Sequence, residues 1–194
     1  MDKLLNLARL QKQKDMFREI EIPYCGIFRP ENDRDFKFAL NTRKFIQQND
    51  DAFSRSKRAG HITASSFILD ETGEHVLLTH HAKLGCWLQL GGHCDGVRDA
   101  QFVALKEARE ESGLSSVRLL SSGIFDVDVH DIPANSEMPK HKHFDVRFLM
   151  TADRGEVLRP TSESKELRWV PRRCLARFTD KLSVLILNQK LVAS

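Results

Sequence analysis

Apolar residues recur along this chain with two different periods. Over the first sixty positions the spacing is helical: Leu4, Leu7 and Ala8 stand at i, i+3 and i+4, Leu10 lies at the margin of that stripe, and Phe38, Phe45 and Ile46 form a second run. Two helices are expected there, separated by residues 22–30 (IPYCGIFRP), whose two prolines and glycine would break a single helix. From position 61 the texture changes. HITASSFIL and HVLLTHH, rich in β-branched and apolar residues, flank the turn-forming DETGE, which predicts a β-hairpin. Further strands are expected over 87–90, 117–130, 143–152 and 167–170, with one strong helix over 98–112 and one or two more over 172–191. Helices and strands without regular βαβ alternation make an α+β pattern, divided as a helical extension over 1–58 and a mixed domain over 59–194. Neither repeats nor low-complexity tracts interrupt it.

Composition narrows the function classes. With 194 residues, 41% of them hydrophobic and 29% charged, the chain is expected to be soluble and globular. A net charge of +3 gives no electrostatic footprint for dedicated nucleic-acid binding. The mild basicity belongs to residues 1–60, which carry 13 Lys+Arg against 9 Asp+Glu, while the remainder carries 17 against 18. Cys25, Cys86, Cys94 and Cys174 form no C-x-x-C pair, so neither a zinc ribbon nor a redox motif is signalled and reduced thiols in a cytoplasmic protein are expected. The N-terminal residues lack the continuous apolar core of a secretory signal, and the run LSVLIL at 182–187 is far short of the about 20 residues that cross a bilayer. No membrane association is expected.

The chemistry concentrates between Gly91 and Leu114, in GGHCDGVRDAQFVALKEAREESGL. Glu107, Glu110 and Glu111 stand at i, i+3 and i+4, which on a helix keeps three carboxylates within an arc of about 100°. Like charges at that spacing repel, so a helix that keeps them gains from a hard divalent cation such as Mg²⁺ or Mn²⁺, or pairs them with Lys106 and Arg109 on a solvated face. Ala104, Leu105 and Ala108 lie on the adjoining stripe that would seat the helix on a sheet, and Gly113 suits the left-handed position that ends it.

This stretch resembles the Nudix box, written G-x5-E-x7-R-E-U-x-E-E-x-G-U with U aliphatic. Gly92 takes the first glycine, Lys106 and Glu107 the Arg-Glu pair, Ala108 the aliphatic position, Glu110 and Glu111 the acidic pair, and Gly113 and Leu114 the close. Two positions depart from it: Arg98 stands where the first glutamate belongs, and Lys106 replaces the arginine. Lys106 supplies the charge without the planar fork, which implies looser positioning of Glu107. Arg98 puts a cation where a carboxylate would support the metal; Asp95 or Asp99 would restore the lost charge, or Arg98 simply pairs with Asp95. The preceding WLQLG, the hairpin and ELRWVP (166–171) also look like the family's flanking strands, so the resemblance spans roughly 60–180.

The resemblance implies an α/β/α sandwich with a mixed central sheet and Mg²⁺-dependent hydrolysis of a nucleoside diphosphate linked to another moiety, of ADP-ribose or sugar-nucleotide type. By resemblance, Glu107, Glu110, Glu111 and the Gly91 carbonyl are metal ligands, and Glu163 from a later loop, with Glu166 second, is the additional base. His93, Asp95, Arg98, His143, Asp145 and Arg147 are the expected substrate contacts. Period-two alternation puts His141, His143, Asp145 and Arg147 on one strand face, which contacts phosphate or metal, or is the wet side of a sheet. All eight histidines fall between His61 and His143. A nucleotide-binding module that has lost turnover is the alternative reading, motivated by Arg98 and Lys106. The helical extension covers the catalytic domain or forms a homodimer interface.

Overall fold

The computed structural model describes residues 18–193 apart from residue 137. The helix expected around Leu4, Leu7, Ala8 and Leu10 lies outside the described residues. Residues 22–30 do more than interrupt: β1 (Ile20–Ile22) and β2 (Gly26–Phe28) form a small antiparallel hairpin. Its tight turn is closed by the Cys25 N–H donating to the Ile22 carbonyl at 3.0 Å, with Tyr24 at φ 64°. α1 (Asp33–Gln48) follows, its first turn capped by Asn32, whose side chain accepts from the Asp35 N–H.

One mixed eight-stranded sheet organises the rest. β3 (Gly60–Asp70), β4 (His75–His81), β5 (Trp87–Leu88), β6 (Leu90–His93), β7 (Arg118–Leu119), β8 (Asp126–Ile132), β9 (His141–Ala152) and β10 (Ser164–Pro171) lie in the order β10-β4-β3-β9-β7, with β5 on β4, β6 on β3 and β8 on β9. The long central strands β3 and β9 run parallel over their whole length, from Gly60 beside Lys142 to Asp70 beside Ala152; every other pairing is antiparallel. Both have divided edges. β3 pairs with β4 at Ile68 and Leu69 and with β6 from Thr63 to Ser66, so the expected hairpin forms and then splays to admit the glycine-rich strand. On β9, β7 pairs near its end and β8 along its first half. The single strand expected over 117–130 is therefore two, because Ser121, Ser122 and Gly123 let the chain step from one half of β9 to the other.

Alternation along these strands sorts the core into two layers. Ile62, Ala64, Ile68, Phe144, Val146, Phe148 and Met150 face one side, where they pack with Ala104 and Ala108 of α2 (Ala100–Ser112) and with Phe28, Ala39 and Ile46 of the extension. Phe67, Leu69, Val76, Leu78 and Leu149 face the other, under the 3-10 turn (Arg172–Arg177) and α3 (Leu182–Ala193), whose Val184 and Leu187 are fully buried. Each such buried side chain contributes about 1.5–3 kcal/mol. The expected sandwich is thus present, and the described part of the extension adds residues to its core. Among the described residues no helix is long and apolar enough to cross a membrane.

A charged network crosses the second layer. Arg147, 1% exposed, donates to Asp145 at 2.8 Å, Asp126 at 3.1 Å, Asp128 at 3.0 Å and the Ser183 carbonyl at 2.9 Å. Arg34 of α1 and Lys190 of α3 join it through Asp126. Burial alone would push the Asp145 and Asp128 carboxyls up, but Arg147 holds Asp145, and His130 and Arg147 hold Asp128, below the usual range.

Candidate active site

Short-range rules place α2 where the site needs it. The Asp99 carboxylate accepts from the Phe102 N–H at 2.9 Å and caps the helix, which begins at Ala100, two residues inside the expected start at 98. Gly113 ends it at φ 73° with its N–H on the Arg109 carbonyl at 2.8 Å. Val103, Ala104 and Ala108 fix the buried stripe, which turns Glu107 and Glu111 toward β6.

In β6 the Gly91 backbone receives one of those carboxylates and the missing side chain of Gly92 makes room for the other. The Gly91 N–H donates to Glu111 Oε2 at 3.3 Å. A Cβ on Gly92 would lie 2.9 Å from Glu107 Oε2, inside normal contact, so the missing side chain is what makes room for the carboxylate. Burial, with Glu107 and Glu163 adding like charge against the Gly91 N–H, pushes the Glu111 carboxyl up to about 8. Glu163 is exposed, on the loop before β10, where its carbonyl accepts from the Ala82 N–H at 2.8 Å. The structure therefore brings Gly91, Glu107, Glu111 and Glu163 into one electrostatic neighbourhood.

The other expected site residues are arranged differently. Glu110 does not join Glu107 and Glu111: about 100° round the helix from Glu111, it pairs with Lys106 at 2.8 Å on the exposed side. The same Lys106 ammonium reaches Glu107 at 3.2 Å, so lysine does span the two carboxylates in the arginine's place. Glu166 is committed to Arg168 at 2.8 Å. Arg98 turns away from the glutamates. Its guanidinium donates to the Asp50 carbonyl at 2.9 Å and the Tyr24 hydroxyl at 3.3 Å and sits over the Tyr24 ring. Asp95 is bound by Arg55 rather than by Arg98, and Asp99 is consumed as the helix cap, so neither restores a carboxylate at position 98. Arg147 has four of its five N–H groups on protein acceptors and Asp145 holds Thr63, Ser65 and Arg147, which withdraws both from the expected role of phosphate contact.

Sequence reading missed what grips the loop entering α2. Arg55 holds Asp95, the Phe53 carbonyl accepts from the Gly96 N–H at 2.8 Å, and the Tyr24 carbonyl accepts from the Ala100 N–H at 3.3 Å. All three come from the extension, and no local motif announces contacts made across some forty or more positions of chain.

His93 and His143 stand together with His61, also missed, at the far end of β3, β6 and β9. Burial, reinforced by neighbouring histidines, lowers His61 to about 4 and His143 to about 3, so both are neutral imidazoles at pH 7. Cys94 is no nucleophile: burial and nearby Asp145, Asp95 and Glu107 push its thiol up to about 12.

Comparison with known proteins agrees with this geometry. The family model described as NUDIX domain matches residues 60–184. Among solved structures the chain is similar to an Ap4A hydrolase of C. elegans in a binary complex, with TM-score 0.55 and 16% identity over 68% of this chain and 95% of that one. It is also similar to a NUDIX family hydrolase from Clostridium perfringens, with TM-score 0.53 and 25% identity over 71% and 98%. A third likeness is to the E. coli dihydroneopterin triphosphate pyrophosphohydrolase, with TM-score 0.54 and 13% identity over 69% and 96%. A search of curated proteins finds no match.

Proposed function

The chain belongs to the Nudix family and is a pyrophosphohydrolase by fold and box, and we propose that it hydrolyses, with Mg²⁺, a nucleoside diphosphate linked to another moiety, of ADP-ribose or sugar-nucleotide type. The observation that carries this reading is the half-buried Glu111 carboxyl, held by the Gly91 N–H and crowded by Glu107 and Glu163. Such a grouping of like charges is costly without a cation, and its oxygen-only donor set fits a hard divalent ion. Glu107, Glu111 and the Gly91 carbonyl would hold it. When bound, Mg²⁺ would neutralise charge on the diphosphate and acidify a water.

The chain's own groups divide the remaining work. Lys106 holds Glu107 toward Gly92 and keeps Glu110 out of the site. Glu163, on an exposed loop within electrostatic reach of Glu111, accepts the proton of the water that attacks phosphorus. The extension fixes the loop before α2 through Arg55, Phe53 and Tyr24, which keeps β6 and the helix in register. Similarity to hydrolases of Ap4A and dihydroneopterin triphosphate supports a nucleotide-like polyphosphate as the substrate class.

Purified protein with Mg²⁺ should release a monophosphate from a member of a panel of ADP-ribose, sugar nucleotides, CDP-alcohols, dinucleotides and nucleoside triphosphates. Glu111→Gln should suppress that release by roughly 100-fold or more while leaving the fold intact. Silence across the panel would remove the proposal. A binding module without turnover is the second reading, favoured by Arg98 standing where the box carries glutamate; calorimetric binding of a panel member without hydrolysis would establish it instead.

A further inference from the structure

One end of the sheet carries a row of imidazoles that the hydrolytic site does not use. The register sets His143 of β9 beside His61 of β3 on one side and beside His130 of β8 on the other, and His93 of β6 beside Thr63, two residues from His61. Alternation puts His61 on the face of β3 that also carries Phe67 and Leu69, the face away from α2. Gly92 faces Glu107, so His93, the next residue, faces the other way.

The three rings converge. One ring nitrogen from each of His61, His93 and His143 lies within 4.8 Å of the others, and His61 Nε2 is 3.1 Å from His143 Nε2. Three nitrogens bound tetrahedrally at about 2.0–2.1 Å from a zinc ion stand about 3.3–3.4 Å apart, so His61 and His143 are already close to ligand spacing and His93 lies within 4.8 Å of both. Outer partners point the same way. His61 Nδ1 faces the Lys57 carbonyl at 3.5 Å, which places the proton there and leaves the Nε2 lone pair directed at the cluster. In the surrounding ring, His141 Nδ1 is 2.8 Å from the Pro139 carbonyl and His130 Nδ1 is 2.9 Å from the Asp128 carboxylate, the type of outer bond that orients metal-ligating imidazoles. His141 lies with its ring centroid 5.0 Å from that of His61 and is the nearest candidate for a fourth ligand.

The donor set also defines the ion. Asp145, the carboxylate two residues along the same face, is fully engaged by Thr63, Ser65 and Arg147, and Asp95, which with Glu163 lies within electrostatic reach of His93, is held by Arg55, so the converging donors are imidazole nitrogens. Such a set suits Zn²⁺ and other late first-row divalent ions and disfavours Mg²⁺. We propose that His61, His93 and His143 form a zinc-type site, separate from the carboxylate site, which ties β6, β3 and β9 together at the end of the sheet. The two sites would then lie on opposite faces of one four-residue strand, with Gly92 serving one and His93 the other.

The test uses the untagged full chain, stripped of metal and held in saturating Mg²⁺, titrated with Zn²⁺ by calorimetry and with Co²⁺ by visible absorption. One ion per chain is expected, with the intense d–d bands of tetrahedral nitrogen ligation. His143→Asn and, separately, His61→Asn should each weaken Zn²⁺ binding by at least roughly 100-fold, while Glu111→Gln leaves it unchanged. Zinc-induced shifts of the three imidazole nitrogens in the unaltered chain, read by NMR, keep the test independent of how the variants fold. Absence of a one-to-one event, equal affinity in His143→Asn, or loss of binding in Glu111→Gln would overturn the zinc site. None of these readouts depends on hydrolysis, so failure here and failure of the hydrolase reading are distinguishable.

Discussion

Glu111 of α2 and Gly91 of β6 meet through a 3.3 Å hydrogen bond from the glycine N–H to the half-buried carboxylate. That contact joins the helix carrying the acidic residues to the strand they face, and it is too weak a compensation to keep Glu111 ionised at neutral pH against burial and two neighbouring carboxylates.

The pH dependence of metal binding follows directly. With its carboxyl raised to about 8, Glu111 must lose a proton when Mg²⁺ binds, so affinity should rise about tenfold per pH unit up to that point and then level off. In the metal-free chain the same carboxyl holds its proton until about 8, whereas the unfolded chain loses it near 4.5. This group therefore weighs increasingly against folding as pH rises between those values. Mg²⁺ titrations at pH 6, 7 and 8 should show the affinity trend, and Glu111→Gln should flatten it.

Gly92→Ala should separate activity from stability. The added methyl would sit 2.9 Å from Glu107 Oε2 and push that carboxylate out of place, while the backbone at Gly92 is in no left-handed conformation. Hydrolysis should fall roughly 10-fold or more, with an increased Mg²⁺ requirement and little change in Tm.

Restoring the family's glutamate at position 98 should not raise activity. Arg98 bonds the Asp50 carbonyl and the Tyr24 hydroxyl, and a carboxylate there would lose both donated bonds and face the Asp50 carbonyl, which can only accept. Arg98→Glu should lower Tm by roughly 2–4 °C without faster turnover, measured by thermal denaturation and steady-state assay. A clear rate increase would show that position 98 reaches the metal site.

Arg147→Met should be the most damaging of these changes. It leaves Asp145, Asp126 and Asp128 buried with Arg34, Lys190 and His130 to offset them. A loss of about 3–5 kcal/mol is expected, visible as a lower urea midpoint.

How much of this could be read from the chain alone depends on the range of the interactions involved. The α2 segment, its cap at Asp99, its end at Gly113 and the Glu107–Glu111 spacing follow from neighbours within a few positions, where helical period and capping chemistry are decisive. The hairpin and the α+β pattern likewise follow from alternation and turn residues, whereas the mixed sheet is implied only by the resemblance of the box. Period alone could not separate Glu110 from its neighbours, because which edge of a helix meets the sheet is set by packing of Ala104 and Ala108 and by the Lys106 pair. The parallel pairing of β3 with β9 joins residues some eighty positions apart and put His61 beside His143; the β8–β9 pairing made Arg147 a buried counter-ion, and packing of the extension on the loop before α2 claimed Arg98. Sequence determined which groups could carry chemistry, since residue type and local spacing are written along the chain; tertiary structure decided which of them meet, since burial and long-range charge pairing exist only once the sheet has closed.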